Sequence, residues 1–174
     1  MSSLKIISLV LFFTAMNANA YEFGALTITS PKEGEWKQQP APMKLPEGVN
    51  FASWVHVLKP RGLTFMSHPA AETVKNVDDY FPKWHIGFEK RATEVLGNGF
   101  LEINHEKCGY SKILVLMGDK SRITKQYCLV IDGIAYVFGI FADDIDPEND
   151  LVMTNIMKSI IIKNRSSIST VPSH

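Results

Sequence analysis

Residues 124–141, TKQYCLVIDGIAYVFGIF, are the part of the chain that decides the fold. Two apolar runs flank Asp132-Gly133, a pair typical of a two-residue type I′ hairpin turn, which needs positive φ at both central residues. The first run alternates between two apolar sets, Tyr127, Leu129 and Ile131 on one face and Cys128 and Val130 on the other. The second run is also apolar on both faces. We therefore expect this hairpin at the centre of a sheet that is covered on both sides.

The segments around the hairpin predict a mixture of strands and helices. Apolar alternation and turn residues predict further strands at 23–29, 49–58, 63–67, 100–105 and 108–117. Residues 31–46 are rich in Pro, Lys and Glu, which indicates an irregular crossing loop, with Trp36 anchoring it to the body.

Two helices are predicted from capping residues and apolar stripes. The first begins at Asn76 with Asp79 three residues later, and Pro82 inside it predicts a kink or a restart. The second opens at Asp146 before Pro147. The predicted buried stripes are Val77, Tyr80, Phe81, Trp84 and Phe88 in the first, and Leu151, Val152, Met153, Ile156, Met157 and Ile160 in the second. The expected fold class is α+β, with an antiparallel β-sheet sandwiched by helices as an α/β/α sandwich.

Residues 1–20 have the pattern of a secretory signal peptide. Lys5 precedes an apolar run, and Ala18-Asn19-Ala20 forms a cleavage site before Tyr21. The apolar run is shorter than the roughly 20 residues of a membrane span. We therefore expect export, no membrane span, a single domain over 21–163, and a disordered polar tail at 164–174.

The charge of the chain is balanced, with 18 Lys and Arg against 18 Asp and Glu. Basic residues are scattered rather than massed, so the composition does not indicate nucleic-acid binding. No motif for a cofactor is present, and none is expected.

The order of elements resembles that of the PsbP-like fold, shared by oxygen-evolving-complex subunits, Ran-binding Mog proteins and DcrB-like exported bacterial proteins. The resemblance extends over residues 23–163. Its features are a first strand followed by Pro31-Lys32-Glu33-Gly34-Glu35-Trp36, a hairpin-then-helix ending, and the closing residues Ile156-Met157-Lys158-Ser159-Ile160-Ile161. The resemblance implies an antiparallel sheet between helices and a non-enzymatic adaptor or binding role.

Two weak patterns suggest metal binding. His85 and Glu89 are four residues apart on one helical face, and His105 is a possible third ligand, although a solvated helix face explains the pair equally well. An acidic cluster could attract calcium, but it lacks the Gly and Glu of an EF-hand loop, and helix N-terminal enrichment explains it better. Its members are Asp143, Asp144, Asp146, Glu148 and Asp150.

Catalytic and partner-binding candidates are few. Ser53, Ser67, His56 and His68 lie on or beside one hairpin and would supply a Ser/His pair for a hydrolase, without any recognised nucleophile motif. Trp36, Trp54 and Trp84 are core or loop anchors, and any that is exposed becomes a candidate contact for a partner.

The two cysteines, Cys108 and Cys128, predict a disulfide. Export into an oxidising compartment favours the bond, and a turn centred on Gly118 would place the two residues opposite each other on antiparallel strands. A register slip of one residue would put the sulfurs on opposite faces and forbid it. The alternative is a pair of buried free thiols.

These observations favour an exported, non-catalytic binding or adaptor protein of the bacterial envelope or extracellular space, with an unknown protein or small-molecule partner. The alternative is a small secreted hydrolase using the Ser/His pair. A third reading is a secreted host-interaction factor exported by the type II route.

Overall fold

The computed structural model describes residues 20–32 and 34–163. Within them the chain forms ten strands and two α-helices, α1 (Val77–Glu89) and α2 (Leu151–Lys158). The strands are β1 (Ala20–Phe23), β2 (Leu26–Thr29), β3 (Trp36–Gln39), β4 (Asn50–His56), β5 (Arg61–Pro69), β6 (Glu94–Ile103), β7 (Glu106–Met117), β8 (Lys120–Ile131), β9 (Ile134–Asp143) and β10 (Ile161–Ile162). The predicted tail at 164–174 and all of the predicted signal peptide except Ala20 lie outside the described residues.

The central hairpin is formed by β8 and β9, as expected. Asp132 and Gly133 have φ of 50° and 75°, and Ile131 faces Ile134 across the turn. β9 is the middle strand of a seven-stranded antiparallel sheet in the order β3-β4-β5-β9-β8-β7-β6. The prediction of a central, doubly covered hairpin is confirmed.

The two faces of this sheet are covered by different elements, and this overturns the predicted α/β/α sandwich. α1 packs on one face through Val77 and Phe81, against Cys128 and Val137. The other face is covered by α2 and by a second, three-stranded sheet in the order β1-β2-β10. The protein is therefore mostly β, with two packed sheets and only two α-helices in the described part of the chain.

The second sheet arises where one continuous strand was predicted. Gly24, at φ 61°, turns residues 20–29 back on themselves as the β1–β2 hairpin. A Cβ at this position would lie 2.6 Å from the Tyr136 hydroxyl, which accepts a 3.0 Å hydrogen bond from the Ala25 amide. Glycine is therefore required both by conformation and by space. β10 then pairs with β2, a contact between distant parts of the chain.

The predicted start of the first helix is correct, but the restart considered at Pro82 is not observed. The Asn76 side chain caps α1 by accepting from the amides of Asp78 and Asp79. The helix continues through Pro82 to Glu89 without a restart.

The second predicted helix is divided into two pieces. Asp146 caps a short 3-10 turn at Pro147–Asn149, and Asp150 caps α2. In the predicted stripe Met153, Ile156, Met157 and Ile160 are buried, but Leu151 and Val152 are exposed. Inclusion of the last two was wrong, because the buried face follows the i, i+3, i+4, i+7 spacing that starts at Met153, and Leu151 and Val152 lie outside it.

The predicted crossing loop contains an edge strand, β3, which pairs with β4. Trp36 at its start is buried and packs edge-on against His56, and the Arg61 guanidinium lies over its ring. Arg61 also pairs with Asp150, the cap of α2, and both side chains are less than one-tenth exposed. The pair ties the start of α2 to the β4–β5 hairpin.

Candidate functional site

A groove open to solvent lies between α2 and the β6–β8 part of the large sheet. Its volume is about 380 Å³, within the range of small-molecule binding sites. Its lining combines apolar, aromatic and charged side chains: Leu101, Glu102, Ile103, Asn104, Lys125, Tyr127, Glu148, Thr154, Met157 and Lys158.

The groove contains a nearly buried lysine. Lys125 lies two residues before Tyr127 on β8 and therefore points to the same, inner face of the sheet. Its ammonium group lies 4.7 Å from the Tyr110 ring centroid and 5.4 Å from that of Tyr127. Glu148 accepts a hydrogen bond from it at 2.6 Å. Two aromatic rings and one carboxylate thus hold a cation in a position where strands usually carry apolar residues.

A second lysine extends this pair into a network. Lys112 on β7 donates to Glu148 at 2.9 Å and to Asp146 at 2.5 Å. Burial opposes ionisation of Glu148, but the hydrogen bonds from Lys125 and Lys112 outweigh it and keep the pKa of Glu148 below its usual value. The pKa of Lys112 is raised in turn, because its two carboxylate partners outweigh the effect of burial. The network pairs two lysines with two carboxylates, so its formal charges balance.

The walls and one end of the groove are set by backbone geometry. Leu101 and Ile103 of β6 form an apolar wall with Met157 of α2. The Asn104 amide donates to the Ile160 carbonyl and joins the β6–β7 turn to the end of α2. The groove is therefore shaped by rigid elements, and it suits a ligand with both apolar and polar groups.

The four residues proposed for a hydrolase are committed to other hydrogen bonds. The Ser53 hydroxyl donates to the Leu63 carbonyl at 3.0 Å, and that of Ser67 accepts from the Asn50 amide at 3.3 Å. Nδ1 of His56 accepts from the amides of Leu58 and Lys59 in the β4–β5 turn. His68 Nε2 lies 2.9 Å from the Tyr80 hydroxyl. None of these hydrogen bonds joins a serine to a histidine.

The residues considered for metal binding are divided between two places. His85 and Glu89 are neighbours on α1, with Nδ1 and Oε2 3.4 Å apart, whereas His105 is exposed in the β6–β7 turn beside Glu102. Glu89 also accepts hydrogen bonds from Ser111 and Asn98. Within residues 20–32 and 34–163, no group of three or more His, Cys, Asp or Glu is arranged to hold a metal.

The acidic cluster has several separate roles. Asp146 and Asp150 are helix caps, in agreement with the expected enrichment at a helix N-terminus. Asp143 pairs with Arg122 at 2.6 Å, and Glu148 belongs to the lysine network. Asp144 accepts from the Ser121 amide at 3.0 Å.

The three tryptophans differ in what they offer to a partner. Trp36 and Trp54 are 7% and 6% exposed and belong to the core. Trp84 is half-buried on α1 and stacks on Phe88, with ring centroids 5.6 Å apart. Trp84 is therefore the one of these candidates that retains surface for a partner.

The predicted disulfide is not formed in this structure, and the predicted register is wrong by one residue. Gly118 and Asp119 together make the β7–β8 turn, so Met117 faces Lys120 and Gly109 faces Cys128. Cys108 consequently points toward α2 and the small sheet, whereas Cys128 points toward α1. Both thiols are free and buried.

Comparison with known proteins gives the fold but no family. No protein-family model matches the chain, and no curated protein matches it. The fold is similar to that of LpqN. That Mycobacterium tuberculosis protein, described as involved in cell envelope biogenesis, aligns with a TM-score of 0.54 at 17% identity, over 82% of this chain and 86% of that chain.

A crystal structure from Bacteroides thetaiotaomicron aligns with a TM-score of 0.52 at 8% identity. The alignment covers 82% of this chain but only 46% of that one, so this chain spans less than half the length of the Bacteroides protein. These comparisons do not confirm the resemblance to PsbP-like proteins. Neither α-helix in the described part of the chain has the length and apolar character of a membrane span.

The groove was not anticipated from the sequence, although one signal pointed to it. Lys125 continues the alternation of Tyr127, Leu129 and Ile131, so it is a charged residue at an inward-facing position. A lysine at such a position needs a carboxylate partner. The sequence did not reveal that Glu148, 23 residues later, is that partner.

Proposed function

We propose that this is an exported, non-catalytic binding protein of the bacterial envelope or extracellular space, and that its ligand occupies the groove between α2 and β6–β8. The observation that carries the proposal is the juxtaposition of the Lys125–Glu148 pair with the apolar wall of Leu101, Ile103 and Met157 in an open groove. The ligand class that fits is a small amphipathic molecule. Its apolar part would contact the wall, and its polar part would exchange hydrogen bonds with the ion pair.

Three further points support this assignment. The groove is built on strands and a helix, which position side chains more accurately than loops do. The lysines and carboxylates are held in ion pairs, an arrangement suited to binding rather than to proton transfer. The similarity in fold to a protein involved in envelope biogenesis is consistent with an envelope location. Release from the cell as a host-interaction factor is a narrower form of the same proposal.

Export requires removal of the predicted signal peptide, so the exported protein is expected to begin at Tyr21. The fold tolerates this cut, because it removes only the Ala20–Thr29 pair at the end of β1. The Tyr21 ring, 4.8 Å from that of Trp54, is retained. N-terminal sequencing of protein recovered from the periplasm and the medium tests this expectation, and an intact Met1 in both fractions would contradict it.

Binding in the groove can be tested with anilinonaphthalene sulfonate, a fluorescent probe that carries an apolar ring system and one anionic group. The wild-type protein is expected to bind it, and Thr154→Trp to weaken binding by at least about tenfold. Thr154 lines the groove from α2, so the larger indole fills the space that the probe needs. Fluorescence titration of the folded protein gives both dissociation constants.

The matched control is Thr64→Trp. Thr64 is also half-buried, but it alternates with the core residues Leu63 and Phe65 on β5 and so lies on the opposite face of the sheet. This variant should bind the probe as the wild type does. Equal weakening by both substitutions, or no binding by the wild type, would contradict the groove as the ligand site.

A further inference from the structure

β6 ends the large sheet, and no segment among the described residues pairs with its outer edge. The strand is ten residues long and contains neither Pro nor Lys, two residues with which proteins commonly protect an exposed edge. Val95, Leu96 and Phe100 on it are 41–44% exposed. A long unpaired edge that exposes apolar side chains is a surface for strand pairing.

The turn that follows β6 shows which backbone groups face outward. Asn104 and His105 have φ of 48° and 68° and join Ile103 to Glu106, so the hairpin has a two-residue type I′ turn. The residues that flank such a turn exchange hydrogen bonds with each other, and bonded and non-bonded pairs then alternate along the ladder. The amide and carbonyl groups of Asn98, Phe100 and Glu102 therefore point away from β7, toward the free edge.

We propose that two copies of this chain pair antiparallel through β6, with Phe100 on the two-fold axis, so that their seven-stranded sheets become continuous. This register pairs outward-facing residues with one another. Phe100 faces Phe100 of the second copy, and Asn98 of each copy faces Glu102 of the other. With two bonds in each hydrogen-bonded pair, about six backbone hydrogen bonds form. Registers shifted by two residues pair fewer outward groups, and shifts by one residue pair none.

The side chains are complementary in the same register. On the α1 face, the uncharged Asn98 lies opposite Glu102 of the second copy, so the two Glu102 side chains do not face each other, and the two Phe100 rings become neighbours. On the groove face, Gly97 and Gly99 lie opposite Ile103 and Leu101 of the second copy. Ile103 and Leu101 of one copy thus cover the two glycines of the other copy, which have no side chains of their own.

The molecule leaves room for this contact. α1 packs mainly over β7 and β8. It reaches β6 at two points: the Phe81 ring lies 4.7 Å from that of Phe100, and Glu89 accepts a hydrogen bond from the Asn98 side chain. In the joined sheet β7 of one copy is three interstrand spacings from β7 of the other, roughly 14 Å. The β-bulge between Val95 and Gly97 ends the regular edge, so pairing is confined to residues 97–103.

Cross-linking tests the register directly. Facing residues in a hydrogen-bonded pair have Cα atoms about 5.5 Å apart, which a disulfide can span. Phe100→Cys is therefore expected to give a covalent dimer on mild oxidation of the full-length chain. The matched control is Val95→Cys, which has nearly the same exposure (44% against 43%) but lies beyond the bulge and should not cross-link. The native thiols are fully buried and do not interfere.

Sedimentation and light scattering of the unmodified chain provide the second test. A concentration-dependent dimer is expected. Asn98→Pro should shift it to monomer, because proline removes an outward-facing donor without breaking a bond to β7. A wild type that stays monomeric at all concentrations overturns the proposal. So does a dimer that survives Asn98→Pro, or one in which Phe100→Cys cross-links no better than Val95→Cys.

Discussion

Asp150→Ala is expected to lower the free energy of unfolding by about 3–5 kcal/mol. Arg61 and Asp150 are 5% and 9% exposed, and removing one partner of a buried ion pair leaves the other charge uncompensated. The same carboxylate accepts from the amides of Val152 and Met153 at the start of α2, and loss of this cap contributes about 1 kcal/mol of the effect. Urea denaturation followed by circular dichroism measures the change.

A double variant separates the buried charge from the other contributions. Arg61→Met combined with Asp150→Ala removes both charges and should be more stable than Asp150→Ala alone. The control is Glu22→Ala, which breaks the exposed Lys163–Glu22 pair and should have little effect. A loss for Asp150→Ala no larger than that of the control would show that the pair is not buried in solution.

The same pair predicts a direction for pH dependence. Burial alone would raise the pKa of Asp150, but the hydrogen bond from Arg61 and those from the α2 amides outweigh it and keep the pKa below the ordinary 3.8. A carboxylate with a lowered folded-state pKa contributes stability that is fully present above its unfolded-state pKa. That contribution is lost as the pH falls from about 4 through the lower folded-state value. Asp150→Ala should therefore lose less stability than the wild type over this range.

Native protein is expected to retain two free thiols that react very slowly. Burial raises the pKa of both Cys108 and Cys128 to about 12, from an ordinary value of 9.0. A shift of this size lowers the reactive thiolate fraction near pH 8 about a thousandfold. Alkylation followed by mass spectrometry should thus modify neither cysteine in folded protein and both after unfolding without reductant.

This measurement also decides whether the predicted disulfide between Cys108 and Cys128 is formed. In the observed register the two sulfurs lie on opposite faces of the sheet, so we expect no bond even in an oxidising compartment. Unfolded, unreduced protein with no alkylatable thiol and a mass lower by two hydrogens would show that the bond exists. It would also show that the β7–β8 register differs from that of the structure.

Local chemistry explains which parts of the fold were predictable. Asp132-Gly133 specified its hairpin because a two-residue turn and the alternation beside it act over a few residues. Asn76 specified the start of α1 in the same way. The cysteine register failed for an equally local reason: the turn uses both Gly118 and Asp119, so its centre lies between them rather than on Gly118.

The errors in architecture came from contacts between distant residues. The second sheet needs Ile161 and Ile162 to pair with β2, more than 130 residues earlier, and no periodicity in either segment specifies that contact. The groove depends likewise on where α2 docks against β6–β8. Lys125 at an inward position was a visible anomaly, but its partner Glu148 becomes evident only when the chain is folded.

The groove as the ligand site is tested most directly by chemical-shift mapping of isotopically labelled protein titrated with anilinonaphthalene sulfonate. The expected perturbations fall on three separate segments, residues 101–104, 125–127 and 154–158, which meet only at the groove. Lys125 and Glu148 should shift with the same dissociation constant as these segments. Perturbations confined to the α1 face, around Tyr80, Trp84 and Phe88, would contradict the assignment.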